Sequence, residues 1–103
     1  MNTASRILAF IDLSSPQADK AVENALQLAD MLGGEVTLLS VVERTQFAQG
    51  RRQRWPPNAF GNAYRKLDIH RVVLPGTPAE TIALYADQIR ADLVLMPPEY
   101  PNR

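Results

Sequence analysis

Apolar residues fall along this chain in two alternating rhythms. Ile7, Leu8, Ala9, Phe10 and Ile11 form an unbroken run, the pattern of a strand buried on both faces, so a strand is predicted over 6–12. From Ala18 the rhythm lengthens. Ala18, Val22, Ala25, Leu26, Ala29 and Leu32 recur at three and four, giving one apolar face of a helix. Ser14 or Ser15 suits the cap of that helix, and Pro16 its first turn, where a missing N–H costs nothing. Gly33 and Gly34 end it, since glycine readily takes the left-handed backbone a helix terminus often requires. Residues 35–42 (EVTLLSVV) then return to the buried-strand pattern.

No periodicity holds from Glu43 to about Asn58, a stretch with Arg44, Arg51, Arg52, Arg54 and Trp55. A mobile, arginine-rich loop is expected over 43–58, followed by a short helix from about Asn58 to Leu67. Residues 69–74 make a third strand, closed by Pro75 and Gly76. Thr77, Pro78 and Glu80 form a helix opening: Thr as cap, Pro first, and Glu three residues after the Thr to reach back. Ile82, Ala86 and Ile89 give that helix its stripe, with Leu84 and Tyr85 on the flanks. Residues 92–96 form a fourth strand, ended by Pro97 and Pro98.

Strands alternating with helices imply an α/β domain built on a parallel sheet. At 103 residues the chain is expected to be a single domain, 1–103. Lys+Arg and Asp+Glu both total 11, and this balance gives no basic excess for a nucleic-acid partner. There is no cysteine, which removes disulfides and thiolate metal sites and suits a cytoplasmic setting. No signal peptide is read at the start, and no apolar run approaches the ~20 residues of a membrane span. A cytoplasmic protein without nucleic-acid or membrane partners is expected.

Candidate chemistry centres on Asp12. It stands where the first strand passes into the first helix, the end of an open α/β sheet at which ligands bind; capping or shaping the turn is its alternative role. Ser14 and Ser15 have no acid–base partner, so no catalytic residue is assigned. His70 is the sole histidine; it is read as a solvent-facing strand residue, and one histidine makes no metal site without carboxylate help. Arg51, Arg52 and Arg54 with Trp55 have the composition of a phosphate- or base-binding loop, beside the plainer reading of a solvated loop.

The run Arg6 to Asp12, the helix ending at Gly33-Gly34, strand 35–42, Pro75 to Ile82 and Ala91 to Met96, in this order and spacing, resemble the universal stress protein family. The resemblance covers roughly two-thirds of the chain and not its arginine-rich middle. It implies a parallel sheet of strand order 3-2-1-4-5 in proteins that often dimerise and sometimes bind ATP. For this chain the expectation is an open sheet of four strands, order 3-2-1-4, with helices on both faces. In nucleotide-binding members an aspartate matching Asp12 lies beside the nucleotide, and backbone matching Val41 and Val42 contacts the adenine. Gly76, at the end of the third strand, joins them as a candidate nucleotide contact.

The sequence departs from the family where phosphate should bind. The family's glycine-rich stretch after the fourth strand is absent, since no glycine follows Gly76. Such loops hold phosphate by aiming backbone N–H groups at it. Pro97, Pro98 and Pro101 have none to offer, and Glu99 adds negative charge. The family's last helix and strand are also missing, and a natural short form and a fragment of a longer member stand as two accounts of that.

An apolar fourth strand at an open edge, beside a partly bare sheet face, leads to the expectation of a homo-oligomer, a dimer first. The leading sequence reading is a non-catalytic stress-response or regulatory domain acting through self-association. The alternative is an adenine-nucleotide (ATP) binder using Asp12, Val41 and Val42, with phosphate held by the loop arginines or a partner chain. An enzyme is not expected: hydrolysis requires a positioned water and stabilised phosphate oxygens, and only Asp12 is a candidate there.

Overall fold

In the computed structural model, residues 5–50, 55, 64 and 66–97 are described. The first apolar run is strand β1 (Arg6–Phe10), and the second is β2 (Glu35–Val42). β3 spans Asp68–Pro75 and β4 Leu93–Leu95. They form one parallel sheet in the order β3-β2-β1-β4, as expected. The unbroken apolar pattern of β1 and β2 has the cause inferred for it. Both are interior strands, and Ile7, Leu8, Val36, Leu38 and Leu39 are fully buried.

Helix α1 (Ala18–Leu32) covers one face. Its Ala18, Val22, Ala25, Leu26 and Ala29 pack on Ile7, Ala9, Ile11, Val36 and Leu38, and Trp55, Tyr64 and Leu67 extend that core. Trp55 is therefore part of the α1-side core rather than of a solvated loop. Helix α3 (Pro78–Ile89) covers the other face, where Ile82, Tyr85, Ala86 and Ile89 meet Leu8, Phe10 and Leu39. Among the described residues no helix is long and apolar enough to cross a membrane.

The structure corrects several local expectations. Helix α1 starts after Pro16, with Gln17 at its cap position and no side-chain cap bond. An additional turn intervenes because the Asp12 carboxylate and carbonyl capture the amides of Ser14 and Ser15. Ser15 Oγ accepts the Gln17 amide at 3.0 Å inside this turn. Leu32, assigned to the apolar face, is 42% exposed in the last turn. Gly33 ends the helix as expected, at φ 66°.

The start of the expected loop is a short helix, α2 (Arg44–Ala48). It buries no residue, so it leaves no apolar period in the sequence. The proposed helix at 58–67 lies mostly outside the described residues, as do Arg51, Arg52 and Arg54. Pro78 opens α3 as expected, but Thr77 makes no side-chain cap bond. Thr77 and Glu80 are exposed, so the first helix amides are open to solvent instead of being covered by a capping box.

Candidate ligand cleft at the ends of β1 and β4

The β1–β2 pairing ends at Phe10↔Leu39, with the Ile11 amide donating to the Leu39 carbonyl at 2.8 Å. β2 and β3 remain paired as far as Val42↔Pro75. On the other side, β1 pairs with β4 only to Ala9↔Leu95. The chain leaving β1 thus parts from both neighbours. Connections run in opposite directions on either side of β1, and at such a switch point an open sheet leaves a crevice beyond its carboxyl ends.

A cleft of about 600 Å³ opens there, between the ends of β1 and β4 and the first turns of α1. Ala9, Phe10, Ile11, Leu95 and Met96 supply its apolar wall, and Asp12, Gln17, Lys20 and Asn24 its polar rim. Asp12 is held firmly. Its Oδ1 accepts the Ser14 amide at 3.1 Å and the Ser14 hydroxyl at 2.6 Å, and its carbonyl accepts the Ser15 amide at 3.0 Å. Oδ2 has no hydrogen-bond partner among the described residues. The aspartate therefore shapes the turn and also presents a carboxylate oxygen to a ligand.

The other candidates are placed differently. Val41 packs in the α3-side core and Val42 is buried; neither lines the cleft, although both lie beyond the last β1–β2 pair. The Val42 carbonyl accepts the Gly76 amide at 2.9 Å. Gly76, at φ 140°, closes the β3–α3 turn on the far side of β2 from the cleft. Pro97 lines the cleft, placing a ring where a phosphate loop would offer an amide. Glu99, Pro98 and Pro101 lie outside the described residues.

Sequence reasoning missed Gln17, Lys20 and Asn24. The signal was present as a polar stripe at spacings of three and four, on the helix turns nearest the switch point. Lys20 is the one cation among the described residues lining the cleft, opposite in charge to Asp12.

The sequence profile of the universal stress protein family matches residues 3–98. The chain belongs to the universal stress protein family. No curated protein matches it. Among solved structures it is similar to a universal stress protein in complex with cAMP, at 17% identity and a TM-score of 0.63, covering 90% of this chain and 72% of that one. It is also similar to a universal stress protein from Archaeoglobus fulgidus DSM 4304, at 23% identity and a TM-score of 0.62, covering 89% of this chain and 32% of that one. These are likenesses of fold. Within this universal stress protein domain, the cleft occupies the position at which the fold class gathers its ligands.

Proposed function

We propose that this chain is a non-catalytic, ligand-binding stress-response domain of the cytoplasm that takes an adenine nucleotide of low charge in the β1–β4 cleft. The observation that carries the reading is the cleft itself. It lies at the switch point, falls within the ~300–1,000 Å³ span of small-ligand sites, and combines an apolar wall with a fixed carboxylate. A carboxylate so placed accepts ribose hydroxyls, as acidic residues do in other open α/β sheets. Lys20 serves the phosphate, as a mobile point charge in place of a glycine loop.

Charge decides among adenine nucleotides. The one described cation of the lining, Lys20, can meet a single phosphate, such as that of cAMP, the ligand of a related solved universal stress protein. A triphosphate would require more positive charge, for which Arg51, Arg52 and Arg54 are the sequence candidates. Binding rather than turnover is the role proposed, in keeping with an Asp12 Oδ1 engaged by Ser14 and a Ser15 hydroxyl that accepts the Gln17 amide.

The test is calorimetric titration with cAMP, AMP and Mg·ATP on the unaltered chain and on Lys20→Ala. Micromolar binding of the monophosphates, weakened about tenfold by Lys20→Ala, is expected. Adenosine should bind both chains alike. Absence of heat with all three ligands at millimolar concentration, in folded protein, would dispose of the reading.

A second reading, self-association, is favoured by β4. Among the described residues this strand pairs with β1 alone; Leu93 and Val94 are exposed along it, and Met96 is exposed just beyond its end. An unpaired apolar edge is a template for another strand. A dimer in sedimentation, lost on Val94→Lys, is the expected result; a monomer at tens of micromolar would count against it.

A further inference from the structure

The amino end of the sheet carries a second constellation, remote from the cleft. Glu35 pairs in register with Asp68, and Thr37 with His70, on adjacent strands. Side chains alternate along a strand, so residues two apart share a face, and all four lie on the face that α3 covers. His70 Nε2 stands 3.2 Å from Asp68 Oδ1. One ligand atom from each of Glu35, Asp68 and His70 lies within 4.8 Å of the others. From this geometry we infer that Glu35, Asp68 and His70 form a binding site for a divalent first-row transition cation of the Zn²⁺ type.

Three features support the assignment. First, an ion held at ~2.0–2.2 Å by nitrogen and oxygen ligands sets neighbouring ligand atoms roughly 3–3.5 Å apart. The Asp68–His70 edge already has this length, and a Glu35 carboxylate oxygen lies within 4.8 Å of both partners. Second, Glu35 commits Oε2 to Arg6 Nε at 2.8 Å, which orients the carboxylate and leaves Oε1 for the ion. Third, Thr37 lines the groove of about 500 Å³ beside these groups, together with Glu35 and His70.

Thr37, 6% exposed, adds a hydroxyl to the wall of this groove. No described side-chain oxygen or nitrogen is both sealed from solvent and unpartnered, so this hydroxyl is not an orphan. Three protein ligands leave a water position open on such an ion.

The chemical class follows from the donors. An imidazole with two carboxylates suits Zn²⁺ and its neighbours, whereas Mg²⁺ and Ca²⁺ prefer all-oxygen sites. A bound ion would fasten β2 to the edge strand β3 at their first residues, raising stability by binding only the folded state. The position is away from Asp12 and Lys20, so this site and the nucleotide cleft stand or fall separately.

The experiment is titration of the untagged full chain with Zn²⁺, followed by competition with a chromophoric chelator and by NMR. His70 is the sole histidine in the sequence, so every imidazole ring resonance belongs to it. Saturable binding of one ion per chain with micromolar affinity is expected, with the His70 ring resonances shifting in step. His70→Ala and Asp68→Asn should each weaken binding by about tenfold or more, the scale seen even for losing an outer-sphere partner. Asp19→Asn, on the first turn of α1, should leave it unchanged. Unmoved ring resonances at equimolar Zn²⁺, or equal affinity in His70→Ala, would overturn the assignment. An equal response to Mg²⁺ would overturn the class of ion.

Discussion

The two ends of this parallel sheet are built on opposite plans. At the amino end the strands are tied together. Arg6 donates its amide to Asp92 Oδ2 at 2.7 Å, its Nε to Glu35 and its Nη1 to the Ile89 carbonyl at 3.0 Å, thereby joining β1 to β2, to the start of β4 and to the end of α3. The Asp92 amide returns a bond to the Arg6 carbonyl, and the Glu35 amide bonds to Ser5. At the carboxyl end the pairings of β1 stop at different points on its two sides, and a cleft opens instead. Close pairing at the amino end gathers charged groups beside a groove of about 500 Å³, whereas divergence at the carboxyl end opens a cleft with an apolar wall and few charges. The first arrangement favours a compact ion and the second a small organic ligand.

The largest expected effect removes the element the two ends share. Leu39 lies fully buried in the central strand β2, and Leu39→Ala should destabilise the domain by about 2–5 kcal/mol in urea unfolding. Ligand responses at both ends should fail together. Next comes Gly34→Ala, where an added Cβ would run into the Ser5 carbonyl oxygen. Backbone must shift, at a cost of about 1–3 kcal/mol, and hydrogen exchange should show the loss centred on the Ser5–Glu35 link rather than on the cleft.

Arg6→Ala is expected to cost about 1 kcal/mol, since the side chain is half exposed and its ion pair is weakened by water. Its effect on nucleotide affinity should be negligible. A marked loss of nucleotide binding in this variant would mean that the two ends are coupled. Lys20→Ala is the smallest change in stability, within ~0.5 kcal/mol. It should be seen only in the affinity for phosphate-bearing ligands.

Much of the fold was legible because burial writes itself into β1 and β2 as unbroken apolar runs, and into α1 as a stripe of spacing three and four. The strand order came from the family resemblance, and the structure bears it out. What escaped was decided by short-range polar competition or by distance along the chain. The start of α1 shifted because Asp12 captures the Ser14 amide, a contest that apolar period does not record. Helix α2 is too short and too exposed to carry a period.

At the site, Asp12 was readable as a strand-end carboxylate, while Lys20 was hidden among ordinary surface positions of a helix. Val41 and Val42 follow from the family pattern and Gly76 from its place at the end of the third strand, and this fold sets all three outside the cleft lining. Asp68 shares a strand face with His70 by the period of two, but Glu35 beside them was invisible without the β2–β3 register, because it belongs to another strand and joins them only when Glu35 pairs with Asp68.

The central claim is that the cleft binds an adenine nucleotide through the Asp12 carboxylate. Asp12→Asn is the sharpest probe, because asparagine keeps the oxygen that accepts the Ser14 amide and hydroxyl while removing the charge. Calorimetric titration of cAMP into both chains is the direct measurement. Micromolar binding to the unaltered chain is expected, with a loss of about tenfold or more in Asp12→Asn, the scale of a charge-assisted hydrogen bond, and unfolding midpoints nearly equal. Equal affinity in the two chains, or no binding to either while both are folded, would contradict it.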